Sequence, residues 1–322
     1  MYIENLKFSL WADFIERDYL DNEFKELIDK GIINGATSNP AIFKNAILNS
    51  PAYKEQLAAL DGLTPKEKYE AVAIYDIRKA ADILKPLYDK GDDGYVSIEV
   101  DPFLCDDARA TVLEGKRLFN AIDRENVMIK VPATEAGYTA MKELTAVGIP
   151  VNATLIFKKS QALSCAKAFS EGTKRYGDSV DTVISIFVSR VDAKIASLGI
   201  SDNLSGIYNS ADIYAAIELM KVEGCRALFA STGIKDKSLP VHYYIEKLLA
   251  YNSVNTAPID TIMAYYNNGA KEKALPIPND VIKAHFEKVK SAGINFDDVL
   301  NEQITGGLEA FKDAFKDIME AL

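Results

Sequence analysis

The sequence predicts an α/β fold: a closed (β/α)8 TIM barrel with additional helices, including a C-terminal helix docked on the barrel. Three observations lead there. Eight short β-rich runs alternate with helical stretches along 322 residues, the alternation that marks a parallel sheet, and eight such units close into a barrel. No linker-like composition, low-complexity tract or long charge block interrupts the chain, so residues 1–322 are taken as one barrel domain. Several runs carry polar side chains on one face and branched apolar ones on the other, a pattern unlike that of an ordinary barrel core.

The expected strands are Phe8–Asp13, Gly35–Ser38, Tyr95–Val100, Val127–Pro132, Val151–Phe157, Thr182–Ser189, Ala227–Thr232 and Thr261–Tyr266. Between them, Lys66–Lys90 places Tyr69, Val72, Ala73, Ala80, Leu84 and Leu87 near helical spacing. Gly307–Leu322 repeats Leu308, Phe311, Phe315, Ile318 and Leu322 at three- and four-residue steps, an amphipathic helix that docks on the body. Successive strand side chains point to opposite faces. Val127, Ile129 and Val131 therefore face the helices and Lys130 faces inward. Val96, Ile98 and Val100 oppose Ser97 and Glu99. Val151, Ala153, Leu155 and Phe157 oppose Asn152 and Thr154. Ile184, Ile186 and Val188 oppose Ser185 and Phe187. The lumen thus collects a lysine, a glutamate, an asparagine, a threonine and a serine, several near strand C-termini, where barrel active sites form.

Composition narrows the function. Hydrophobic residues make up 48% and charged residues 26%, which is globular rather than disordered. A net charge of −10 disfavours non-specific binding to nucleic acid or to anionic membranes, while leaving room for a local basic pocket. Met1 to Asp18 shows no signal-peptide pattern, and no run is apolar for the length of a membrane span. The cysteines, Cys105, Cys165 and Cys225, are odd in number and widely spaced, so they are expected as buried, reduced thiols of a cytoplasmic protein. Two histidines, His242 and His285, cannot supply a multi-histidine metal site, and both are expected on helix surfaces. Asp92-Asp93-Gly94 is a turn without the later ligands of a calcium loop.

Lys130 is the sharpest chemical signal. Burying an ammonium between Ile129 and Val131 is costly, and a lowered pKa relieves the cost by exposing a free amine. Such an amine attacks ketones to form a Schiff base. The plainer alternative is a strand-edge lysine with its head in solvent.

Gly35-Ala36-Thr37-Ser38-Asn39-Pro40-Ala41-Ile42-Phe43 resembles the first signature of the transaldolase family, and Met128-Ile129-Lys130-Val131-Pro132-Ala133-Thr134-Glu135-Ala136-Gly137 resembles the second, which carries its Schiff-base lysine. Val151–Phe157, Ile184–Asp192 and Ala230–Lys235 are similar to three further blocks, in family order. Trp11-Ala12-Asp13 resembles the branch whose first strand reads Trp-x-Asp. Ser231 to Lys235 fits that branch too, with a lysine where other members place an arginine.

The resemblance implies a metal-independent transferase without organic cofactor. It would move a dihydroxyacetone unit from sedoheptulose 7-phosphate or fructose 6-phosphate to glyceraldehyde 3-phosphate or erythrose 4-phosphate, in the non-oxidative pentose phosphate pathway. Lys130 forms the imine, Asp13 is the general base and Glu99 the acid/base at the carbinolamine, with Thr154 positioning a water. Asn39, Asn152 and Ser185 hold substrate hydroxyls, and Phe187 covers the lysine. Arg190, Ser231 and Lys235 hold the phosphate. Partners are sugar phosphate substrates, with no nucleic acid and no membrane, and the assembly is a monomer or homodimer. The residues alone leave other readings open: Asp13 as a helix cap, Glu99 as a structural partner of Lys130, Asn39 as a loop opening, Arg190 in an ion pair with Asp192, Ser231 and Thr232 as a strand end. Trp11 is expected to pack. Two rival functions are a plain aldolase, whose branch carries glutamine and tyrosine in place of Glu99 and Phe187, and a non-catalytic sugar-phosphate binding protein.

Overall fold

The computed structural model describes residues 2–322. A short strand β1 (Tyr2–Ile3) turns through Lys7 in the left-handed region and pairs antiparallel with β2 (Phe8–Ala12). From β2 onward every pairing is parallel: β3 (Ala36–Thr37), β4 (Val96–Glu99), β5 (Val127–Pro132), β6 (Val151–Ile156), β7 (Thr182–Phe187), β8 (Cys225–Ala230) and β9 (Ser253–Ala257) follow in order, and β9 pairs back onto β2. Eight parallel strands thus close the expected barrel, with helices between them.

The eighth strand is not where the sequence pattern put it. Thr261–Tyr266 lies inside the helix Ile259–Asn268, and the strand is Ser253–Ala257. The β-branched and aromatic residues of 261–266 suggested a strand. Pro258 and Asp260 instead start a helix, whose buried residues Thr261, Ile262 and Tyr265 form a helical stripe.

Elsewhere local chemistry matches the elements. Helix Pro65–Tyr88 opens on a capping box between Thr64 and Glu67 with Pro65 in its first turn. It buries Tyr69, Val72, Ala73, Ala80 and Leu84. The C-terminal helix spans Phe296–Ala321, starting about three turns before the expected Gly307. Gly306 and Gly307 resemble a boundary, but Gly307 is where the helix presses on the barrel: a Cβ there would lie 3.0 Å from Leu155 Cδ2.

The alternation of faces divides the apolar side chains in two. Val96, Ile98, Val127, Ile129, Val131, Ile184, Ile186 and Val188 pack outward against the helices. Trp11, Met128, Val183, Leu228 and Val254 fill the lumen. On β6 the alternation fails. A register shift between Ala153 and Ile156, with Leu155 at φ 60°, turns Leu155 and Phe157 away from the face of Val151 and Ala153 and into the inner cluster. Such a bulge re-aims side chains beside a site.

The floor of the lumen is polar. Asp93 accepts from Trp11 Nε1 at 2.8 Å and from both Arg226 terminal nitrogens at 3.0 and 2.8 Å. Asp93 is therefore more than a turn residue. His285, expected on a surface, is buried against Tyr208 and Phe286 with its Nε2 2.8 Å from Ser205 Oγ. The three cysteines are buried and unpaired.

A methyl group at Gly35 would lie 2.4–2.6 Å from Trp11 ring atoms, and the bond to Asp93 holds that ring in place. Gly35→Ala should cost about 1–3 kcal/mol or more by overpacking. Urea denaturation checks this, and unchanged stability would show that the ring can move aside.

Candidate active site

Lys130 projects from the inner face of β5, level with Glu99 on β4 and Asn152 on β6. Its Nζ donates to Ser38 O at 3.0 Å and stands 3.5 Å from Glu99 Oε2. Lysine and glutamate are 5% and 6% exposed, so an ion pair sits in a site almost closed to solvent. Both Glu99 oxygens and Thr154 Oγ1 are buried without a hydrogen-bond partner in the protein. Burial pushes the Glu99 carboxyl up to about 7, while the neighbouring Lys130 charge works in the opposite direction.

Asp13 follows the end of β2. Burial raises its carboxyl above the ordinary value, opposed by the Lys130 charge, by a hydrogen bond from Thr37 and by Arg190. That bond, 2.7 Å from Thr37 Oγ1 to Asp13 Oδ1, continues at 2.7 Å to Thr256 Oγ1. With Thr37 donating to Asp13, Thr256 is left to donate to Thr37. The relay fixes one carboxylate oxygen.

These groups border a cavity of ≈190 Å³ at the C-terminal ends of the strands. Of the residues singled out in the sequence, Asp13, Asn39, Lys130, Thr154, Ser185, Phe187, Arg190 and Ser231 line it. Glu99 adjoins it through Lys130. Asn152 lies beneath, with both ends of its amide engaged: Nδ2 donates to Ser97 Oγ at 3.1 Å and Oδ1 accepts from Ser185 Oγ at 2.7 Å. Asn39 does open a loop, as the helix cap whose Oδ1 accepts from Ile42 N. Its amide nitrogen remains for the cavity. Ser231 holds φ 55°, rare for a residue with a side chain, in the turn after β8.

Arg190 does not pair with Asp192. That carboxylate is buried and accepts from Gly206 N at 2.7 Å and Tyr244 Oη at 2.9 Å. Arg190 lies over the Phe187 ring at 5.4 Å. Burial lowers its pKa, against the pull of Asp13, and burial lowers that of Lys235, helped by the nearby Arg190 charge. Neither forms an ion pair among the described residues. Two neighbouring cations that share only the more distant charge of Asp13 make an anion-seeking corner. Lys235 is exposed and does not line the cavity.

Thr37, Thr256 and Phe311 also line the cavity, although no motif marks them for it. Thr256 belongs to the strand Ser253–Ala257, which lies ahead of the run that the sequence pattern favours. Phe311 has the spacing of a packing stripe, yet its ring centre lies 5.7 Å from Lys130 Nζ. A wider cleft of ≈660 Å³, lined by Lys7, Asp93, Asp181 and Arg226 among others, lies at the strand N-termini. Barrel chemistry belongs to the other end. Among the described residues no cluster of three or more His, Cys, Asp or Glu side chains is placed to hold a metal ion.

A family model described as Transaldolase/Fructose-6-phosphate aldolase matches residues 10–322. A Campylobacter jejuni protein (serotype O:23/36, strain 81-176) named Transaldolase is 46% identical over 326 residues, covering 98% of this chain and 99% of its own. A Helicobacter pylori (strain Shi470) protein of the same name is 43% identical over 320 residues, with the same coverage.

Glu99 provides a direct test of the electrostatics. Its folded-state pKa near 7 lies above the ordinary 4.5, so the folded chain keeps a proton that the unfolded chain loses between those values. Its contribution to stability should therefore fall as pH rises through that window. An infrared titration should show a buried carboxyl band disappearing with a midpoint near 7, and Glu99→Gln should lack it. A midpoint in the ordinary carboxyl range would contradict the assignment.

Proposed function

The chain belongs to the transaldolase/fructose-6-phosphate aldolase family, and from that premise we propose that it is a transaldolase whose chemistry runs through an imine on Lys130. It moves a dihydroxyacetone unit from sedoheptulose 7-phosphate or fructose 6-phosphate to an aldose phosphate. The observation that carries this reading is a buried amine 3.5 Å from a buried carboxyl, in a cavity that also holds Asp13 and Arg190.

The roles are those that the family resemblance implies, and the geometry is compatible with them. Lys130 Nζ attacks the substrate ketone to give a carbinolamine. Glu99, able to hold or release a proton near pH 7, protonates the departing hydroxyl through a water that Thr154 helps position. The resulting imine cation is the electron sink. Asp13, steadied by Thr37, takes the proton from the hydroxyl whose carbon becomes the departing aldehyde. The carbon–carbon bond then breaks, its electron pair moves to the imine nitrogen, and an aldehyde leaves. The three-carbon enamine remains on Lys130 until an acceptor aldehyde reverses these steps. Asn39 and Ser185 serve the hydroxyls of the retained unit. Asn152 orients Ser185, and its second N–H remains for a substrate hydroxyl. Phe187 covers the imine. Arg190, Ser231 and Lys235 serve the phosphate, Arg190 as a forked donor and Lys235 as a point charge at the entrance.

Glu99 and Phe187 favour transfer over plain aldol cleavage, because the aldolase branch was expected to carry glutamine and tyrosine there. Buried free cysteines are in keeping with a cytoplasmic enzyme, and we propose that it acts as a monomer or homodimer with residues 1–322 forming one catalytic unit.

Borohydride reduction in the presence of fructose 6-phosphate should leave a three-carbon adduct on the Lys130 peptide and none in Lys130→Met. Substrate binding by a folded protein without any adduct would favour a binding protein instead. Arg190→Ala should raise KM for phosphorylated donors about 10- to 100-fold, the loss expected for a charge-assisted hydrogen bond. It should change turnover of unphosphorylated ketoses much less, and an equal effect on both substrate classes would remove Arg190 from the phosphate site.

A further inference from the structure

Two sides of Lys130 Nζ are taken by polar groups, Ser38 O at 3.0 Å and Glu99 Oε2 at 3.5 Å. Another is taken by an apolar ring from outside the barrel, Phe311 of the C-terminal helix, with its centre 5.7 Å away. Phe311 is 4% exposed and lines the cavity together with Ala310. One turn earlier, Gly307 packs on Leu155, with Arg190 Nη1 3.8 Å from where a Cβ would be. The same helix face therefore touches the imine end of the cavity through Phe311 and the phosphate end through Gly307. The buried stripe Phe311, Ala314, Phe315 and Ile318 seats the helix, and exposed ion pairs flank it: Lys44–Asp317 at 2.5 Å, Lys158–Asp297 at 2.6 Å and Lys194–Glu302 at 2.6 Å.

We propose that Phe311 is a specificity-determining residue: its ring roofs the imine nitrogen, keeps water off the three-carbon intermediate, and thereby sets the partition between transfer to an aldehyde and release as free dihydroxyacetone. The inference rests on the transaldolase reading above. Release and transfer part at the enamine carbon, which takes a proton in the one and bonds to the acceptor carbonyl in the other. In both, water then adds to the iminium carbon and the carbon–nitrogen bond breaks to give a ketone and the free amine of Lys130. The protonation that diverts the intermediate to free dihydroxyacetone is easier when bulk water reaches the enamine. An apolar ring offers neither a proton donor nor a hydrogen-bond acceptor, while its face tolerates the cationic stages of the cycle.

The test is the ratio of dihydroxyacetone released to acceptor product formed, with fructose 6-phosphate as donor and erythrose 4-phosphate as acceptor. It compares wild type with Phe311→Leu, Phe311→Val and Phe311→Ala. The control is Phe315→Ala. Phe315 lies one turn further along the same helix, is also 4% exposed, and packs edge-on against Tyr69 at 5.2 Å without lining the cavity. The ratio should stay within about twofold of wild type for leucine, which keeps apolar bulk, and rise as the side chain shrinks, to at least about tenfold for alanine. Phe315→Ala should leave the ratio unchanged even where it lowers the melting temperature. Should the alanine variant fail to fold, the valine variant still reports the trend. Equal ratios across the Phe311 series, or the same rise in Phe315→Ala, would overturn the proposal. Absence of a borohydride-trapped adduct in the wild type would instead bring down the transaldolase reading itself.

Discussion

An amine and a carboxyl taken almost out of water set the terms for the rest of this barrel. At 3.5 Å in a closed lumen their attraction is large, but so is the cost of desolvating both. The fold answers with single fixed contacts rather than with a saturated network. Ser38 O receives one Nζ hydrogen, while Glu99 meets Lys130 only at ion-pair distance and its oxygens and Thr154 Oγ1 accept no protein hydrogen bond. A structural salt bridge would be expected to satisfy those lone pairs. Burial pushes the carboxyl up to about 7, so it keeps its proton into the neutral range.

Around that pair, irregularities in the barrel do specific jobs. The bulge on β6 lets Thr154 and then Leu155 turn inward, so one strand supplies both a hydroxyl for the cavity and an apolar seat for the C-terminal helix. The turn after β8 holds Ser231 in the left-handed region beside the cationic corner. Far below, the Asp93–Arg226–Trp11 cluster plugs the lumen with a polar contact that packs tightly enough to require glycine at position 35. The outer layer between strands and helices is mainly aliphatic, with a few buried carboxylates of its own, such as Asp76 paired with Arg17.

What could be read beforehand follows the same division. Strand parity has a period of two, so a lysine flanked by Ile129 and Val131 had to face the lumen, and Glu99 joined it by the same rule. The blocks around Lys130 and Asn39 added chemistry to that geometry. Parity fails where the backbone departs from a regular strand, and no local pattern announces a bulge at Leu155. The Thr261–Tyr266 run looked like a strand because β-propensity reports side-chain shape, whereas a proline and an acidic residue at its start decided for a helix. Phe311 could not be distinguished from Phe315 by spacing. Both belong to one apolar stripe, and only the tertiary crossing of the helix sets one over the lysine and the other over Tyr69.

The cavity joins Asp13, just beyond the first parallel strand, to Phe311, 298 positions later on the last helix. The barrel's closing pair, β2 with β9, spans nearly as much of the chain. Neither the walls of the cavity nor the helix beside Lys130 can therefore form from neighbouring residues alone, and both carry the loop-closure cost that slows folding.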